Sequence, residues 1–288
     1  MQSIVTLTMN PALDVSTSVE EVVSTHKLRC SGARFDPGGG GVNVARVIQR
    51  LGGRATALYA VGGPLGDLYR ALLEKELDDA QPISIEGNTR ESFHVTETST
   101  GDEYRFVLKG PKWQEREWHA ALDRLEETLV DGGYLVVSGS LPDGVPDDFT
   151  ARAAHAAKAA GARCVIDASG PSLEAALEEG VFLVKPNKRE LRDLTGAKLE
   201  SREEQEEALR RILGDGGAEM IALSLGADGA RFAGAGEVFH VAAPEVEARS
   251  AVGAGDSFLA GLTLRLADGG SLQDAARYAV AAGAAALL

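Results

Sequence analysis

The sequence predicts an α/β fold, with a mainly parallel central sheet and a small second sheet set apart from it as a lid. Three observations predict it. Short apolar runs of strand length alternate with stretches of helical period, the pattern of parallel strands joined by right-handed crossovers. Segment 83–109 breaks that rhythm with period-two alternation about a turn, so it reads as a separate hairpin. Two glycine-rich stretches, at 38–41 and 253–255, each open an apolar helical pattern.

Taken in order, Ile4-Val5-Thr6-Leu7-Thr8 reads as a buried strand ended by Asn10-Pro11. Segment 12–36 is mixed and polar and lacks the periodicity of a core helix. After Gly38-Gly39-Gly40-Gly41, the residues Val44, Val47, Ile48 and Leu51 share one helical face, and Gly52 stops the helix. Ala55 to Val61 predicts a strand and Leu65 to Leu77 a helix. Ser92 to Thr98 and Glu103 to Leu108 alternate around Thr100-Gly101-Asp102, and together with 12–36 they could form the lid. Strands follow at Tyr134–Ser138, Cys164–Asp167, Phe182–Val184 and Met220–Leu225, with helices at about 115–130, 148–160, 171–179 and 188–213. A hairpin near Ala230–Val241 precedes two closing helices at about 255–267 and 272–287. There are no repeats and no low-complexity linker, so residues 1–288 read as one domain with lid segments at about 12–36 and 89–109.

Composition narrows the function. A hydrophobic share of 44% is ordinary for a globular protein, and no run approaches the ~20 apolar residues of a membrane helix. Met1 to Thr8 has no basic region followed by an apolar one, so no leader is expected. Cys30 and Cys164 fit neither a metal spacing nor a disulfide framework, and a cytoplasmic protein is the simplest reading. A net charge of −14 argues against nucleic acid and anionic membranes as partners, and it requires local cations to hold any anionic substrate. His26, His94, His119, His155 and His240 are scattered without zinc spacing.

The chemistry is expected past the carboxyl ends of the strands, where ligands bind in such sheets. Neither GxxxxGK[ST] nor a GxGxxG after the first strand is present, so this is not a P-loop protein and a dinucleotide site is not expected. In Ser250-Ala251-Val252-Gly253-Ala254-Gly255-Asp256-Ser257-Phe258, a glycine-flanked turn opens an apolar helix. The free N–H groups of Gly253, Ala254, Gly255 and Asp256 would make an anion site, and the Asp256 carboxylate could accept a proton from a hydroxyl. An ordinary aspartate cap is the alternative for this stretch alone. Asn187 and Glu190 share a face at a helix start. They suit either a Mg²⁺ ion that keeps most of its waters or a capping box. Lys185 reads as a phosphate ligand or a solvated strand end, and Gly226 and Gly229 as ligand contacts or a plain turn.

Three motifs then stand in order along the chain. Gly38-Gly39-Gly40-Gly41-Val42-Asn43-Val44-Ala45 resembles the first signature of the ribokinase-like, PfkB-type carbohydrate kinases. Val252-Gly253-Ala254-Gly255-Asp256-Ser257 resembles the second, and Asn187-Lys188-Arg189-Glu190 resembles that family's NxxE element. Pro11 to Asp14, Lys27 to Cys30, Ser138 to Pro142 and Leu183 to Asn187 are similar to its phosphosugar branch. The resemblance implies a three-layer α/β/α body with a β lid that also makes a homodimer contact. It implies an enzyme that moves the γ-phosphoryl group of ATP to a phosphorylated ketohexose, with fructose 6-phosphate the expected acceptor. On this resemblance Asp256 is the base and Gly253, Ala254 and Gly255 form the anion hole. Asp14, Gly38, Gly39, Asn43 and Ser138 would hold the sugar, and Lys27, Arg90 and the Arg29 of a partner copy its phosphate. Lys185, Asn187, Ser224, Gly226 and Gly229 would line ATP, Asn187 and Glu190 would stand near Mg²⁺, and the carbonyls of Ser250 and Val252 would hold a monovalent cation such as K⁺.

In the branch that uses fructose 1-phosphate, the third residue of the glycine loop is commonly lysine; here it is Gly40, which cannot reach a phosphate. That branch and tagatose-6-phosphate kinases are the alternative enzymes, and a catalytically silent sugar-phosphate-binding protein is the alternative of another class. Two departures motivate the silent reading. Ala251 stands where this branch usually has threonine, and the chain stops at Leu288 where the family continues with another loop and helix, as a cut C-terminus would.

Overall fold

The computed structural model describes residues 1–247, 250 and 252–288. Ala251, a departure that motivated the silent reading, lies outside the described residues. Nine strands form the main sheet: β1 (Ile4–Thr8), β4 (Thr56–Val61), β5 (Ala80–Ser84), β8 (Tyr134–Ser138), β9 (Arg163–Asp167), β10 (Val181–Val184), β11 (Ala218–Ser224), β12 (Ala230–Gly234) and β13 (Glu237–Val241). Their order is β13-β12-β11-β10-β9-β8-β1-β4-β5, parallel except for the antiparallel edge pair β12 and β13.

β1 lies inside this sheet, and all five of its residues are buried, as a strand covered on both faces requires. Its alternate side chains serve two cores. Val5 and Leu7 pack with residues of α3 (Glu115–Thr128), α4 (Phe149–Ala159), α5 (Pro171–Glu179) and α7 (Arg202–Gly214), among them Leu125, Phe149, Leu173 and Leu209. Ile4 packs with residues of α1 (Gly40–Arg50), α8 (Ala254–Ala267) and α9 (Leu272–Ala285), among them Ile48, Leu259 and Ala279. Helices on both faces of one sheet make the three layers that the resemblance implied. No helix among the described residues is long and apolar enough to cross a membrane.

The second sheet has the order β3-β2-β6-β7, built from β2 (Ala12–Val19), β3 (Arg34–Gly38), β6 (Arg90–Glu97) and β7 (Glu103–Val107). The two chain segments expected to form a lid meet along the parallel pair β2 and β6, with Asp14 opposite Ser92.

Two sequence expectations change. The single helix over 188–213 is two helices, α6 (Lys188–Thr195) and α7. Gly196 ends the first in the left-handed region at φ 68°, and Ser201 caps the second in a capping box with Glu204. The break in rhythm expected from residue 83 starts two residues later: residues 80–84 form the edge strand β5 of the main sheet, where Pro82 is tolerated because an edge strand leaves one row of N–H groups unpaired. The helix expected over 65–77 is α2 (Gly63–Leu73), which brings Tyr69 and Leu73 onto Tyr59 of β4.

Candidate active site

The site lies past the carboxyl ends of β1, β8, β9, β10 and β11, where α1, α6 and α8 begin. The Gly38–Gly41 loop is pinned first. Gly39 caps α1 at φ 139°, a conformation open to glycine, and a Cβ there would lie 2.7 Å from Thr8 Cγ2. Thr8 Oγ1 accepts the Val42 N–H at 2.9 Å, so β1 and the start of α1 hold one another. The buried Tyr69 hydroxyl donates to the Gly38 carbonyl at 2.9 Å. A Cβ on Gly38 would strike Asp14 Oδ2 at 2.0 Å, so the loop leaves room for that carboxylate.

α8 begins after Gly253, which sits in the left-handed region at φ 78°. The first helical bond runs from Ser257 N to Gly253 O at 2.8 Å, which leaves the N–H groups of Ala254, Gly255 and Asp256 without an intrahelical acceptor. Asp256 is half-buried, and its Oδ2 accepts from Asn43 Nδ2 at 2.8 Å. Burial pushes its carboxyl up to about 6, with the Asn43 hydrogen bond, Lys185 and Arg46 opposing and Asp167 reinforcing. Desolvation therefore outweighs the helix dipole, which favours the charged form. Above that value the group is a carboxylate and can take a proton.

Lys185 is buried at the end of β10, with Nζ 3.0 Å from Asp167 Oδ1. Burial is the largest single influence on it and pulls downward, but Asp167, Glu190 and Asp256 together hold its ammonium above the ordinary lysine value. The nearest atom to a Cβ built on Gly255 would be Lys185 Nζ, at 3.9 Å. A lysine charge thus faces the open N–H groups of α8, an arrangement suited to a transferring phosphoryl group.

Two clefts flank this point. One, of about 740 Å³, is lined by Asn187, Ser224 and Gly226 of the residues expected at a nucleotide, together with Arg202, Gln205 and Arg231. Gly229, expected there too, does not line it. A Cβ on Gly229 would strike Val241 O at 2.1 Å, and its N–H closes the turn onto Gly226 O at 3.0 Å. The other cleft, of about 590 Å³ between lid and body, is lined by Asp14, Gly38, Asn43, His94, Ser250, Val252 and Gly253. Burial lifts the Asp14 carboxyl above its usual value, against the charges of His94 and Arg90.

Asn187 and Glu190 form the capping box: Asn187 Oδ1 accepts from Glu190 N and Glu190 Oε2 from Asn187 N, both at 2.9 Å. Glu190 Oε1 is in neither of these bonds. Among the described residues no three His, Cys, Asp or Glu gather as a metal site. That donor set fits a Mg²⁺ brought in on nucleotide phosphates rather than one caged by protein.

The phosphate-binding expectation divides. Arg90 donates from Nε and Nη2 to Asn10 O at 3.2 and 3.1 Å and from Nη1 to Leu108 O at 3.3 Å, at the root of the lid. Lys27 and Arg29 are exposed on the segment between β2 and β3, with no ion pair to the cleft. Ser138, expected at the sugar, is buried beneath Gly40 with Oγ 3.4 Å from Asp167 Oδ2; the exposed serine of that loop is Ser140, which accepts from Asn10 Nδ2 at 3.0 Å. Sequence reasoning noted Asp167 past a strand's carboxyl end but gave it no role, and it passed over Arg46. Arg46 stands three residues after Asn43 on one helix face, and that spacing was the available signal.

Residues 5–288 match the family described as pfkB family carbohydrate kinase. The ATP-dependent 6-phosphofructokinase isozyme 2 of Mycobacterium tuberculosis is 43% identical over 285 residues, covering 99% of this chain and 84% of that protein. The crystal structure of phosphofructokinase-2 from Escherichia coli in complex with fructose-6-phosphate superposes with a TM-score of 0.95 at 39% identity, covering 100% of this chain and 94% of that one. The structure of the same Escherichia coli enzyme in complex with potassium gives 0.96 at 39%, covering 100% and 93%.

Proposed function

The chain belongs to the pfkB family of carbohydrate kinases, and from that premise we propose that it transfers the γ-phosphoryl group of ATP to the 1-hydroxyl of fructose 6-phosphate. It is a sugar kinase, a phosphotransferase with an alcohol group as acceptor. The observation that carries the assignment is Asp256. It is a half-buried carboxylate at a glycine-opened helix start, held by Asn43 at 2.8 Å.

The acceptor hydroxyl stands over Asp256, which takes its proton as the oxygen attacks the γ-phosphorus. The transition state of such transfers is loose, so positioning and charge neutralisation carry most of the catalysis. The N–H groups of Ala254, Gly255 and Asp256, with Lys185 opposite, meet the charge on the transferring group. Asn187, Ser224 and Gly226 line the nucleotide. Asn187 and Glu190 would stand near a Mg²⁺ ion, which when bound would neutralise charge on the nucleotide phosphates, and the carbonyls of Ser250 and Val252 would hold a monovalent cation such as K⁺. Asp14, Gly39 and Asn43 hold the sugar hydroxyls, and Arg90 and Lys27 hold its phosphate with Arg29 from a partner copy. Asn10 and Ser140 stand beside Arg90 as neutral hydrogen-bonding groups. The enzyme works in the cytoplasm, as a homodimer joined through the lid.

Gly40 argues against fructose 1-phosphate. A Cβ there would lie 2.3 Å from Ser138 Oγ and 2.9 Å from Ser138 C, so this loop leaves no space for a longer side chain that could reach a second phosphate. A coupled ADP-release assay over a panel of phosphorylated ketoses tests the assignment. The expected result is the highest kcat/KM with fructose 6-phosphate. A higher value with fructose 1-phosphate, or ligand binding without ATP turnover, overturns it.

A further inference from the structure

Arg46 lies beside the reacting centre and has no part in the transfer described above. Its side chain is 14% exposed, and its guanidinium reaches three acceptors on three elements. Nε meets Glu76 Oε2 at 2.6 Å, Nη2 meets Pro37 O at 2.6 Å and Nη1 meets Asn43 Oδ1 at 2.7 Å. Pro37 belongs to β3, where the lid runs into the glycine loop, and Glu76 follows α2. Three acceptors around one plane suit the fixed fork of arginine; a lysine ammonium has no such fork.

We infer that Arg46 is a positioning residue for phosphoryl transfer, holding the Asn43 amide so that its nitrogen faces the carboxylate of Asp256. An amide has two orientations here. In the observed one, Oδ1 accepts from the guanidinium and Nδ2 donates to Asp256 Oδ2 at 2.8 Å. The reverse would set an amide oxygen against a carboxylate and an NH₂ against a guanidinium, two donor–acceptor mismatches at once. Arg46 therefore fixes the sign of the contact that Asn43 makes with the base. The second hydrogen of Nδ2 stays available to a sugar hydroxyl. The bond to Pro37 O also ties this orientation to the lid root, so the base is braced when β3 is in place.

Charge reinforces geometry. The groups around Asp256 are Asn43 and Arg46 of α1, Asp167 of β9 and Lys185 at the end of β10; Asp167 raises its carboxyl and the other three lower it. Removing Arg46 takes away one of the opposing influences.

This inference rests on Asp256 being the base, and the experiment separates the two. Six enzymes are compared: wild type, Arg46→Ala and Arg46→Lys, each with Asn43 intact and with Asn43→Ala. Arg46→Ala is expected to lower kcat about tenfold in the wild-type background and less than about twofold in the Asn43→Ala background, because the residue acts through Asn43. The acid limb of its kcat–pH profile is expected to move upward. Arg46→Lys keeps the charge, so its acid limb stays while kcat falls, and it serves the same comparison if the alanine variant does not fold. Equal factors in both backgrounds, or an unchanged kcat, overturn the inference and leave Arg46 a structural clamp for Glu76. The base reading is tested apart from this by Asp256→Asn, whose near-normal kcat would overturn that reading first.

Discussion

Asp256 shows how far a residue's surroundings, rather than its type, decide its work. At a helix start the dipole favours a charged carboxylate, yet burial holds the carboxyl up at about 6, from an ordinary value of 3.8. Between those values the folded chain keeps a proton that the unfolded chain has lost. Stability therefore falls as pH rises through that window, and above it the enzyme carries a buried charge. Asp256→Asn is accordingly expected to lower kcat by about 10²-fold or more while stabilising the fold by on the order of 2 kcal/mol at pH 8. The gain should fade toward zero by about pH 3, below both values, where the carboxyl is protonated in the folded and in the unfolded chain. Calorimetry at the two pH values checks this; equal gains at both would mean that the substitution acts through packing rather than charge. The wild-type kcat should fall along an acid limb centred near pH 6, as the base is protonated. Sequence spacing made this aspartate legible as the base, but its raised value comes from Asp167 and from burial, neither of which spacing reveals.

At the scale of elements, α6 carries two readings of one pair of residues. The sequence left Asn187 and Glu190 open between a capping box and a metal role, and the structure forms the capping box. The two are compatible, since Glu190 Oε1 is in neither capping bond. Glu190→Gln separates them. Glutamine still accepts from the Asn187 N–H, so α6 should keep its cap and its stability within about 0.5 kcal/mol. A charge near the nucleotide phosphates is lost, so the Mg²⁺ concentration for half-maximal rate should rise several-fold. An unchanged Mg²⁺ titration would leave Glu190 with the cap alone. Alternation and period placed nearly every strand and helix of the chain, because buried parallel strands read as unbroken apolar runs. They missed β5, whose Pro82 and exposed residues lack that signature, and they ran α6 into α7 across Gly196. The Ser201–Glu204 capping box was readable in the sequence and marks that boundary. The site was legible where backbone demands glycine or where a motif fixes a carboxylate. It was illegible where tertiary contacts decide, as in the exchange of Ser138 for Ser140, the turn made by Gly229 and the bracing by Arg46.

On the scale of the whole molecule, the lid has two unlike faces. Asp14 and its neighbours turn toward the body. On the opposite face the registers align Phe35, Val15, Phe93 and Phe106 in one row across all four strands. The row's two ends are open, with Phe35 43% and Phe106 54% exposed, and Leu108 is exposed beside it. An apolar row of this kind on a four-stranded sheet is suited to a second copy of itself, since an isologous contact sets the same surface against its twin. The chain's net charge of −14 opposes such pairing at long range, so burial of these rings must supply the attraction. Arg29, exposed on the segment between β2 and β3, would then be placed to reach the partner's sugar phosphate. Phe106→Asp places a charge at one exposed end of that row. Sedimentation velocity is expected to show a dimer for the wild type and a monomer for the variant. The variant's KM for fructose 6-phosphate should rise at least tenfold while its KM for ATP stays within about twofold, because only the sugar phosphate draws on the partner. A wild-type monomer at assay concentrations, or a monomeric variant with an unchanged sugar KM, would sink the shared site and return Arg29 to the solvent.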